Sequence, residues 1–290
     1  MQDFNGKVAV ITGAASGIGR AIAGRCAAQG MKLALADVEE HALMEAAQEL
    51  EAEGATVLSI PTDVSSFAEV EALAEQTYAQ YGAVHLLCNN AGVAAGSTVW
   101  ESAIADWEWV LGVNLWGVIY GVKAFVPRML AQDAEGHVVN TASIAGLIAG
   151  PGMGIYNVSK HGVVALSETL FHELAMRQAK VKVSVLCPGY VNTRIMDSER
   201  NRPDRHAPMG DLRPGDAELR DVRRQAVESG IPAEIVAEAV FDAVQKDQFY
   251  IFTHPDYMPL VRMRTNDILH ARNPTDPMAA ATAIVAKNIN

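Results

Sequence analysis

Short apolar runs alternate with longer amphipathic stretches over the first 190 residues of the chain. The runs are rich in Val, Leu and Ile, and several are apolar at consecutive positions, which is typical of strands buried on both faces. They are Lys7–Thr12, Lys32–Asp37, Thr56–Ile60, Val84–Cys88, Gly136–Thr141 and Lys182–Cys187. The stretches between them have helical periodicity and span residues 17–29, 39–53, 66–81, 106–131 and 154–178. This alternation predicts an α/β protein with a doubly wound Rossmann fold, in which helices flank a central parallel sheet of about seven strands.

The pattern changes after Pro188-Gly189. Residues 190–231 are polar and contain several Pro, Arg and Asp residues, which predicts a substrate-loop insertion. The later elements predicted from periodicity are a short helix at 216–228, a helix at 233–246, the strand Gln248–Phe252 and a helix at 256–271, the last within a C-terminal extension, 254–290. No linker or internal repeat interrupts the pattern, so residues 1–290 are predicted to form a single domain.

The formal net charge is −11, from 23 basic and 34 acidic residues that are spread along the chain without runs of like charge. This balance argues against nucleic acid or an anionic membrane surface as the main partner. The three cysteines lie far apart in apolar stretches, and the histidines lack metal-ligand spacing, so we predict neither a disulfide framework nor a metal site. The N-terminus lacks the pattern of a signal peptide and no apolar run approaches the length of a bilayer span, so we expect a cytoplasmic protein without a membrane partner.

A glycine-rich turn, TGAASGIG at residues 12–19, follows the first predicted strand and opens the first predicted helix. Glycines let the backbone turn tightly and approach a pyrophosphate, whose negative charge the helix N-terminus favours. The spacing Gly-x-x-x-Gly-x-Gly differs from that of the common dinucleotide fingerprint. The turn therefore predicts a cofactor site, and its candidate binding residues are Gly13, Ser16, Gly17, Ile18 and Gly19.

Asp37 ends the second predicted strand, eighteen residues beyond Gly19. A carboxylate in this position can accept both ribose hydroxyls of an adenosine and would repel a 2′-phosphate. Val38 rather than an arginine follows it, and Arg20 is predicted to lie on the first helix. The sequence therefore favours NAD as the cofactor, with NADP as the alternative.

Tyr156 and Lys160 are four residues apart in a predicted helix, so they lie on the same face. A tyrosine hydroxyl with its ordinary pKa of about 10 is a poor base at neutral pH, but a nearby ammonium group favours the phenolate. Ser143 lies thirteen residues upstream and could hold the oxygen that gains or loses the proton. The spacing predicts a proton-transfer device.

These motifs together resemble those of the short-chain dehydrogenase/reductase superfamily. The resemblance covers about residues 5–195, with a looser match to about 253. The turn at 12–19 is similar to the family's cofactor turn, and Asn89-Asn90-Ala91-Gly92 to another of its signatures. The remaining matches are Asn114, Ser143, Tyr156 and Lys160 at the family's catalytic positions, and Pro188-Gly189 with Thr193 at its nicotinamide-side motif.

The resemblance implies a role for each matching residue. Tyr156 would be the general base in alcohol oxidation and the acid in ketone reduction. Lys160 would lower the pKa of Tyr156 and bind the nicotinamide ribose, Ser143 would hold the substrate oxygen, and Asn114 would anchor a water that relays protons. The other implied cofactor contacts are Asp63, Val64, Asn90, Ala91, Gly92, Pro188, Gly189, Val191 and Thr193.

The substrate is expected to contact the segments after the fourth, fifth and sixth strands, since ligands bind at the carboxyl ends of such sheets. The candidate substrate contacts are Ala94, Ala145, Leu147, Met153, Tyr190, Ile195 and Met196. This set is mostly apolar and contains no Arg or Lys. It favours a bulky hydrophobic or aromatic secondary alcohol, or the corresponding ketone.

Two alternatives stay open. A 3-oxoacyl thioester reductase would use NADPH and a basic entrance, against which Asp37 and the acidic balance argue. A catalytically inactive dinucleotide-sensing protein would have lost the tyrosine or the lysine, and both are present here. The resemblance also implies a homo-oligomer, a dimer or tetramer, that pairs through the fourth and fifth helices.

Overall fold

The computed structural model describes residues 1–95, 98–206, 214–277 and 279, and for 214–217 only the backbone. Its centre is one sheet of seven parallel strands in the order β3-β2-β1-β4-β5-β6-β7. The strands are β1 (Val8–Thr12), β2 (Lys32–Asp37), β3 (Thr56–Pro61), β4 (Leu86–Asn89), β5 (Gly136–Thr141), β6 (Val181–Leu186) and β7 (Tyr250–Ile251). The order reverses between β1 and β4, which is the switch point where open α/β sheets bind their ligands.

Helices cover both faces of the sheet. Those of the described residues are α1 (Gly17–Ala28), α2 (Glu40–Ala52), α3 (Phe67–Tyr81), α4 (Ile104–Leu111), α5 (Gly117–Ala131), α6 (Gly154–Met176), α7 (Pro214–Glu228), α8 (Ala233–Lys246) and α9 (Met258–Leu269). A π-helical turn, Gly112–Trp116, joins α4 to α5, and short 3₁₀ segments cover Ile144–Gly146, Ile195–Asn201 and Pro255–Tyr257.

Strand residues alternate between two cores, because neighbouring side chains of a strand point to opposite faces. Ala9 and Ile11 pack with α1 and α8 on one face, whereas Val8 and Val10 pack with α3 and α5 on the other. All residues of β1 are buried. Burial on both faces explains why the apolar runs in the sequence are continuous.

The predicted elements agree with the structure, with differences at their ends. The strands Lys32–Asp37 and Gly136–Thr141 have the predicted bounds, whereas the seventh strand is shorter, Tyr250–Ile251 instead of Gln248–Phe252. The helix predicted at 106–131 is interrupted by the π turn. A single π turn changes the backbone hydrogen-bond pattern only locally, so hydrophobic periodicity does not reveal it.

The insertion contains more regular structure than a loop. It holds the 3₁₀ segment Ile195–Asn201 and the helix α7, whose predicted bounds were 216–228. A parallel bridge between Val191 and Ile231 closes the base of the insertion. Its two ends therefore leave and rejoin the domain side by side.

The continuous helical stretch Ile104–Ala131 has the length and composition of a membrane span, with a hydropathy of 1.4, although the sequence pattern suggested no such stretch. Half of its most apolar window is buried inside the protein, including Val118, Phe125 and Met129. Burial of this kind is typical of a core helix, in which the apolar residues pack against the sheet.

A buried hydrogen-bond chain ties the sheet to its helices. Asn89 donates to Asn140 Oδ1 over 2.9 Å, and Asn140 donates to Ser167 Oγ over 3.0 Å. Gly121 of α5 lies against Asn89 so closely that an added Cβ would be 2.0 Å from Asn89 Oδ1. The absence of a side chain at position 121 therefore allows this network to form.

Gly121→Ala should lower the free energy of unfolding by about 2 kcal/mol or more, because the methyl group overpacks the interface and displaces a buried amide. Gly24→Ala is the matched control, since the nearest atom to its added Cβ is 3.9 Å away. That change, at a half-buried helix position with room for a methyl group, should stabilise by up to about 1 kcal/mol. Urea denaturation measures both, and equal effects at the two positions would contradict the packing role of Gly121.

Candidate active site

A cavity of about 570 Å³ opens at the carboxyl ends of β1, β4, β5 and β6. One end is lined by the glycine-rich turn and the residues after β2 and β3, and the other by the segments after β4 and β5 and by α7. Tyr156 and Lys160 line the same cavity. A single cavity therefore contains the predicted cofactor and catalytic residues.

The glycine-rich turn has the conformation that close approach to a ligand requires. Gly13 has φ +66°, and an added Cβ would be 2.8 Å from Ala91 Cα. Gly17 begins α1 with φ +54°. Ser16, the N-cap, makes no side-chain capping bond, so the first helical N–H groups are left to bind an anion.

Asp37 is 9% exposed and lies at the mouth of this turn. Its carboxylate accepts hydrogen bonds from the backbone N–H groups of Ala15 and Glu39, each over 3.0 Å. Burial raises the pKa of Asp37, and these two hydrogen bonds oppose that rise. The backbone bonds hold the carboxyl group in place, and its remaining lone pairs can accept ribose hydroxyls.

Asp63 follows β3 and also lines the cavity. Its Oδ1 accepts from the N–H and the hydroxyl of Ser65, and its Oδ2 accepts from Arg205. Burial works to raise the pKa of Asp63, but these bonds lower it overall. The turn, Asp37 and Asp63 together form a cradle that fits a dinucleotide: free helical N–H groups for a pyrophosphate and a fixed carboxylate for a ribose.

A seam of hydrogen bonds joins this cradle to Lys160, the predicted catalytic lysine. Thr12 Oγ1 accepts from the N–H groups of Asn90 and Ala91, and Asn90 Nδ2 donates to the Thr12 carbonyl. Thr141 Oγ1 donates to Asn90 Oδ1, and the Thr141 carbonyl accepts from Lys160 Nζ over 2.9 Å. The ends of β1, β4 and β5 are therefore linked by a continuous set of hydrogen bonds.

Burial dominates the electrostatics of the tyrosine–lysine pair. It raises the pKa of Tyr156 to about 12, and the hydrogen bond with Ser143 only partly opposes this. It lowers the pKa of Lys160 to about 8. The protein alone therefore does not produce the lowered tyrosine pKa that the sequence spacing suggested, because desolvation outweighs the ammonium group 5.6 Å from the Tyr156 ring centre.

Ser143 is 8% exposed and stands beside Tyr156 at the end of β5. Its hydroxyl accepts from the Ala145 N–H over 3.1 Å and donates to the Pro188 carbonyl over 3.4 Å. The long second bond leaves the hydroxyl able to turn toward a ligand oxygen. Tyr156 and Ser143 can therefore share one oxygen atom of a substrate.

Known proteins share this arrangement along nearly the whole chain. The family model for short chain dehydrogenases matches residues 7–204. The chain belongs to the short-chain dehydrogenase family. The resemblance seen in the motifs and the predicted Rossmann fold are thus confirmed, and the protein is an oxidoreductase of this family.

Three similar proteins illustrate the relationship. The crystal structure of a short chain dehydrogenase/reductase from Burkholderia phymatum in complex with NAD is 50% identical, with a TM-score of 0.94, and the match covers 96% of this chain and 99% of that chain. The CLA biosynthesis dehydrogenase/reductase of Lactiplantibacillus plantarum is 37% identical over 93% of this chain and 95% of that protein. The 1-deoxy-11-beta-hydroxypentalenate dehydrogenase of Streptomyces arenae is 35% identical over 90% of this chain and 87% of that protein.

Most residues predicted for cofactor and catalysis in this short-chain dehydrogenase line the cavity, and two do not. Gly19 lies beneath the turn, where an added Cβ would be 2.0 Å from the Gly13 carbonyl oxygen. Asn114 is fully buried in the π turn. The lining members are Gly13, Ser16, Gly17, Ile18, Asp37, Asp63, Val64, Asn90, Ala91, Gly92, Ser143, Tyr156, Lys160, Pro188, Gly189, Val191 and Thr193.

The amide of Asn114 is occupied by other protein groups. Its Oδ1 accepts from the Val93 N–H, and its Nδ2 donates to the Val93 carbonyl and to Ser159 Oγ. The side chain therefore braces the segment after β4 against α6. Its predicted water-anchoring role stays a prediction, and the bracing role follows from contacts that lie far apart in sequence.

Of the predicted substrate contacts, six line the cavity and one does not. Those that do are Ala94, Ala145, Met153, Tyr190, Ile195 and Met196. Leu147 instead packs on the cluster that contains Val163 and Val164, because the 3₁₀ turn before it directs it away, and Ile148 takes its place in the lining. Arg220 and Arg223 of α7, which the sequence did not nominate, also line the cavity.

Sequence reasoning also missed a histidine clamp on the nicotinamide-side motif of the short-chain dehydrogenase. The Gly189 N–H donates to His254 Nδ1 over 3.0 Å, and His254 Nε2 donates to the Tyr190 carbonyl over 3.0 Å. His254 and Tyr257 pack so closely that a Cβ at position 189 would be 2.8 Å from each. The start of the C-terminal extension therefore positions the loop after β6.

The first part of the insertion crosses the cofactor end of the cavity. Arg200 pairs with Glu39 over 2.6 Å, and Arg205 pairs with Asp63 over 3.1 Å. Arg202 is buried and pairs with Asp106 over 2.7 Å. We call residues 194–206 the arginine strap. The stretch is rich in arginine, but nothing in the sequence indicated the partners Glu39, Asp63 and Asp106, which lie more than 90 residues away.

The pKa of Lys160 makes the stability of this enzyme depend on pH. Burial lowers that pKa from 10.5 to about 8, so between these values the unfolded chain keeps a proton that the folded protein loses. Below about pH 8, the cost of burying the charged ammonium group lowers the free energy of unfolding by about 3 kcal/mol. This cost disappears as the pH rises to about 10.5. Lys160→Met removes this dependence.

Urea denaturation of both proteins between about pH 7 and pH 10 tests this. The wild type should gain about 3 kcal/mol relative to Lys160→Met over that range. Lys182→Met, at an exposed position, is the control and should show no such trend. A difference between wild type and Lys160→Met that stays constant with pH would contradict the buried charge.

Proposed function

We propose that the protein is an NAD-dependent dehydrogenase that interconverts a secondary alcohol and its ketone. The observation that carries this is the meeting of Ser143, Tyr156 and Lys160 with the Asp37-ended dinucleotide cradle in one cavity. The seam through Thr12, Asn90 and Thr141 supports it, because it couples the cradle to Lys160. The solved structure from Burkholderia phymatum, in complex with NAD, supports the choice of cofactor.

The turn at 12–19 would hold the pyrophosphate of NAD, and Asp37 the adenosine ribose. When bound, NAD supplies a hydride acceptor and a positively charged nicotinamide ring. Such a charge near Tyr156 would favour its phenolate form, whereas the protein alone raises the pKa of Tyr156 to about 12. The chain's own contribution would be to hold the tyrosine in the same cavity as the cradle.

The remaining side chains manage the substrate oxygen and its proton. Ser143 donates a hydrogen bond to the oxygen, and Tyr156 takes the hydroxyl proton during oxidation and returns it during reduction. Lys160, with a pKa of about 8, holds a proton at Nζ and passes it on close to physiological pH. The histidine clamp keeps the loop at Gly189 and Tyr190 in position beside them.

A bulky hydrophobic substrate suits the other end of the cavity. Val93, Trp109, Ile148, Met153 and Leu260 provide an apolar lining around the catalytic group. The relatives whose names specify a reaction include a hydroxypentalenate dehydrogenase, which acts on a hydroxylated compound. A thioester reductase that uses NADPH is less well supported, because Asp37 disfavours a 2′-phosphate. An inactive sensing protein is less well supported because the catalytic set is complete.

Two further expectations stay predictions. The cytoplasmic location is one. The homo-oligomer is the other, and the exposed apolar side chains of Ile104 and Trp116, in the region of the fourth and fifth helices, support it.

Tyr156→Phe should lower kcat for alcohol oxidation by about 10²–10⁴-fold, because no other described group is placed to take the proton. Its affinity for NAD, measured by calorimetry, should stay nearly unchanged. Tyr120→Phe is the control, since Tyr120 packs against Phe67 and Trp116 outside the cavity. Turnover that survives in Tyr156→Phe would remove this tyrosine from the mechanism.

Asp37→Asn should lower the ratio of kcat/KM with NAD to that with NADP by about tenfold or more, which corresponds to about 1.4 kcal/mol. The amide keeps an oxygen for one of the two backbone hydrogen bonds but loses the charge that repels a 2′-phosphate. Asp242→Asn, at a surface ion pair with Lys246, is the matched control. An unchanged ratio would show that another group selects the cofactor.

A further inference from the structure

Helix α7 presents a mixed surface to the cavity. The side chains that line it are Leu219, Arg220, Val222, Arg223, Ala226 and Val227. Leu219 and Val222 remain 36% and 55% exposed although they line the cavity. A ligand with an apolar body would cover these two side chains and gain from removing them from water.

The three neighbouring arginines of α7 differ in what they contact. Arg223 donates to the carbonyl oxygens of Gly152 and Pro151, and so joins α7 to the segment before α6. Arg224 pairs with Asp197 over 2.7 Å. Arg220 is half-buried in the lining and makes no hydrogen bond or ion pair with the residues that the structure describes.

The described acidic residues of the lining do not neutralise Arg220. Asp37, Glu39 and Asp63 belong to the cofactor end, where backbone groups and the arginine strap bind them. Glu199 pairs with Arg202 over 2.7 Å. The described charges on the lining at the substrate end are therefore predominantly positive, in a protein whose net charge is −11. A half-buried guanidinium group facing such a cavity favours a carboxylate, which it can bind through two parallel hydrogen bonds.

We propose that Arg220 binds a carboxylate of the substrate, so that the enzyme acts on hydrophobic hydroxy acids and the corresponding keto acids. The apolar body of the substrate lies between the hydroxyl at Tyr156 and the carboxylate at Arg220, and covers Leu219 and Val222. This inference rests on the proposed dehydrogenase function. It names the substrate class and adds Arg220 as the residue that selects it.

Matched substrates test the proposal. The panel contains fatty acids and arylalkanoic acids that carry a secondary hydroxyl on the chain, each beside its methyl ester, with NAD as the cofactor. The wild type should have a kcat/KM about 10–100-fold higher for the acids, the range of one charge-assisted hydrogen-bonding contact. Arg220→Met should remove this preference by lowering kcat/KM for the acids and leaving the esters nearly unchanged.

Two further variants separate charge from shape. Arg220→Lys should keep part of the preference, because it retains a positive charge without the planar pair of donors. Arg177→Met removes the same charge from an exposed position at the end of α6 and should change neither substrate class. Equal kcat/KM values for acids and esters in the wild type would overturn the proposal. So would a preference that persists in Arg220→Met.

A binding experiment keeps the proposal testable without turnover. Octanoate and octanamide differ in charge at the same length, and calorimetry in the presence of NAD should show tighter binding of octanoate to the wild type but not to Arg220→Met. If no alcohol on the panel is oxidised, the proposed dehydrogenase function fails, whereas the octanoate result still decides the role of Arg220. If esters are turned over as well as acids, only the carboxylate proposal fails.

Discussion

The hydrogen-bonded seam across the carboxyl ends of β1, β4 and β5 is the interaction on which the rest of the site depends. Thr12 and Asn90 hold the cofactor turn against the segment after β4, and Thr141 carries the connection to Lys160. Each of these groups is buried or half-buried, so each lost bond would leave a polar atom without a partner. Lys160 of α6 is consequently held against the end of β5, on the rigid part of the fold.

This rigidity explains the unusual electrostatics of the pair. The sheet and α6 surround Tyr156 and Lys160, so that desolvation raises the pKa of Tyr156 to about 12 and lowers that of Lys160 to about 8. A positive charge beside this pair would therefore be needed to favour the phenolate form of Tyr156. The protein alone opposes that form, because desolvation dominates the pKa of the tyrosine.

Features set by local sequence were predictable, and features set by distant contacts were not. The alternation of apolar runs gives the sheet, the strand end places Asp37, and the four-residue spacing places Tyr156 and Lys160 on one helix face. The π turn that holds Asn114 depends on Val93 and Ser159, and the histidine clamp joins positions 65 residues apart. Leu147 and Ile148 were exchanged because a 3₁₀ turn has no periodicity signal of its own. Arg220 lies in a polar stretch whose local sequence does not indicate that α7 packs against the cavity.

The arginine strap has a consequence for how this enzyme can diversify. The stretch that bonds to Glu39 and Asp63 beside the predicted adenosine site also places Ser198, whose hydroxyl accepts from the N–H of Ala94, a predicted substrate contact. Through Asp197 and Arg224 it is tied to α7 as well. An exchange of residues in the strap that reshapes the predicted substrate end would therefore also shift the groups beside the predicted adenosine end. The two ends of the cavity share one set of ion pairs.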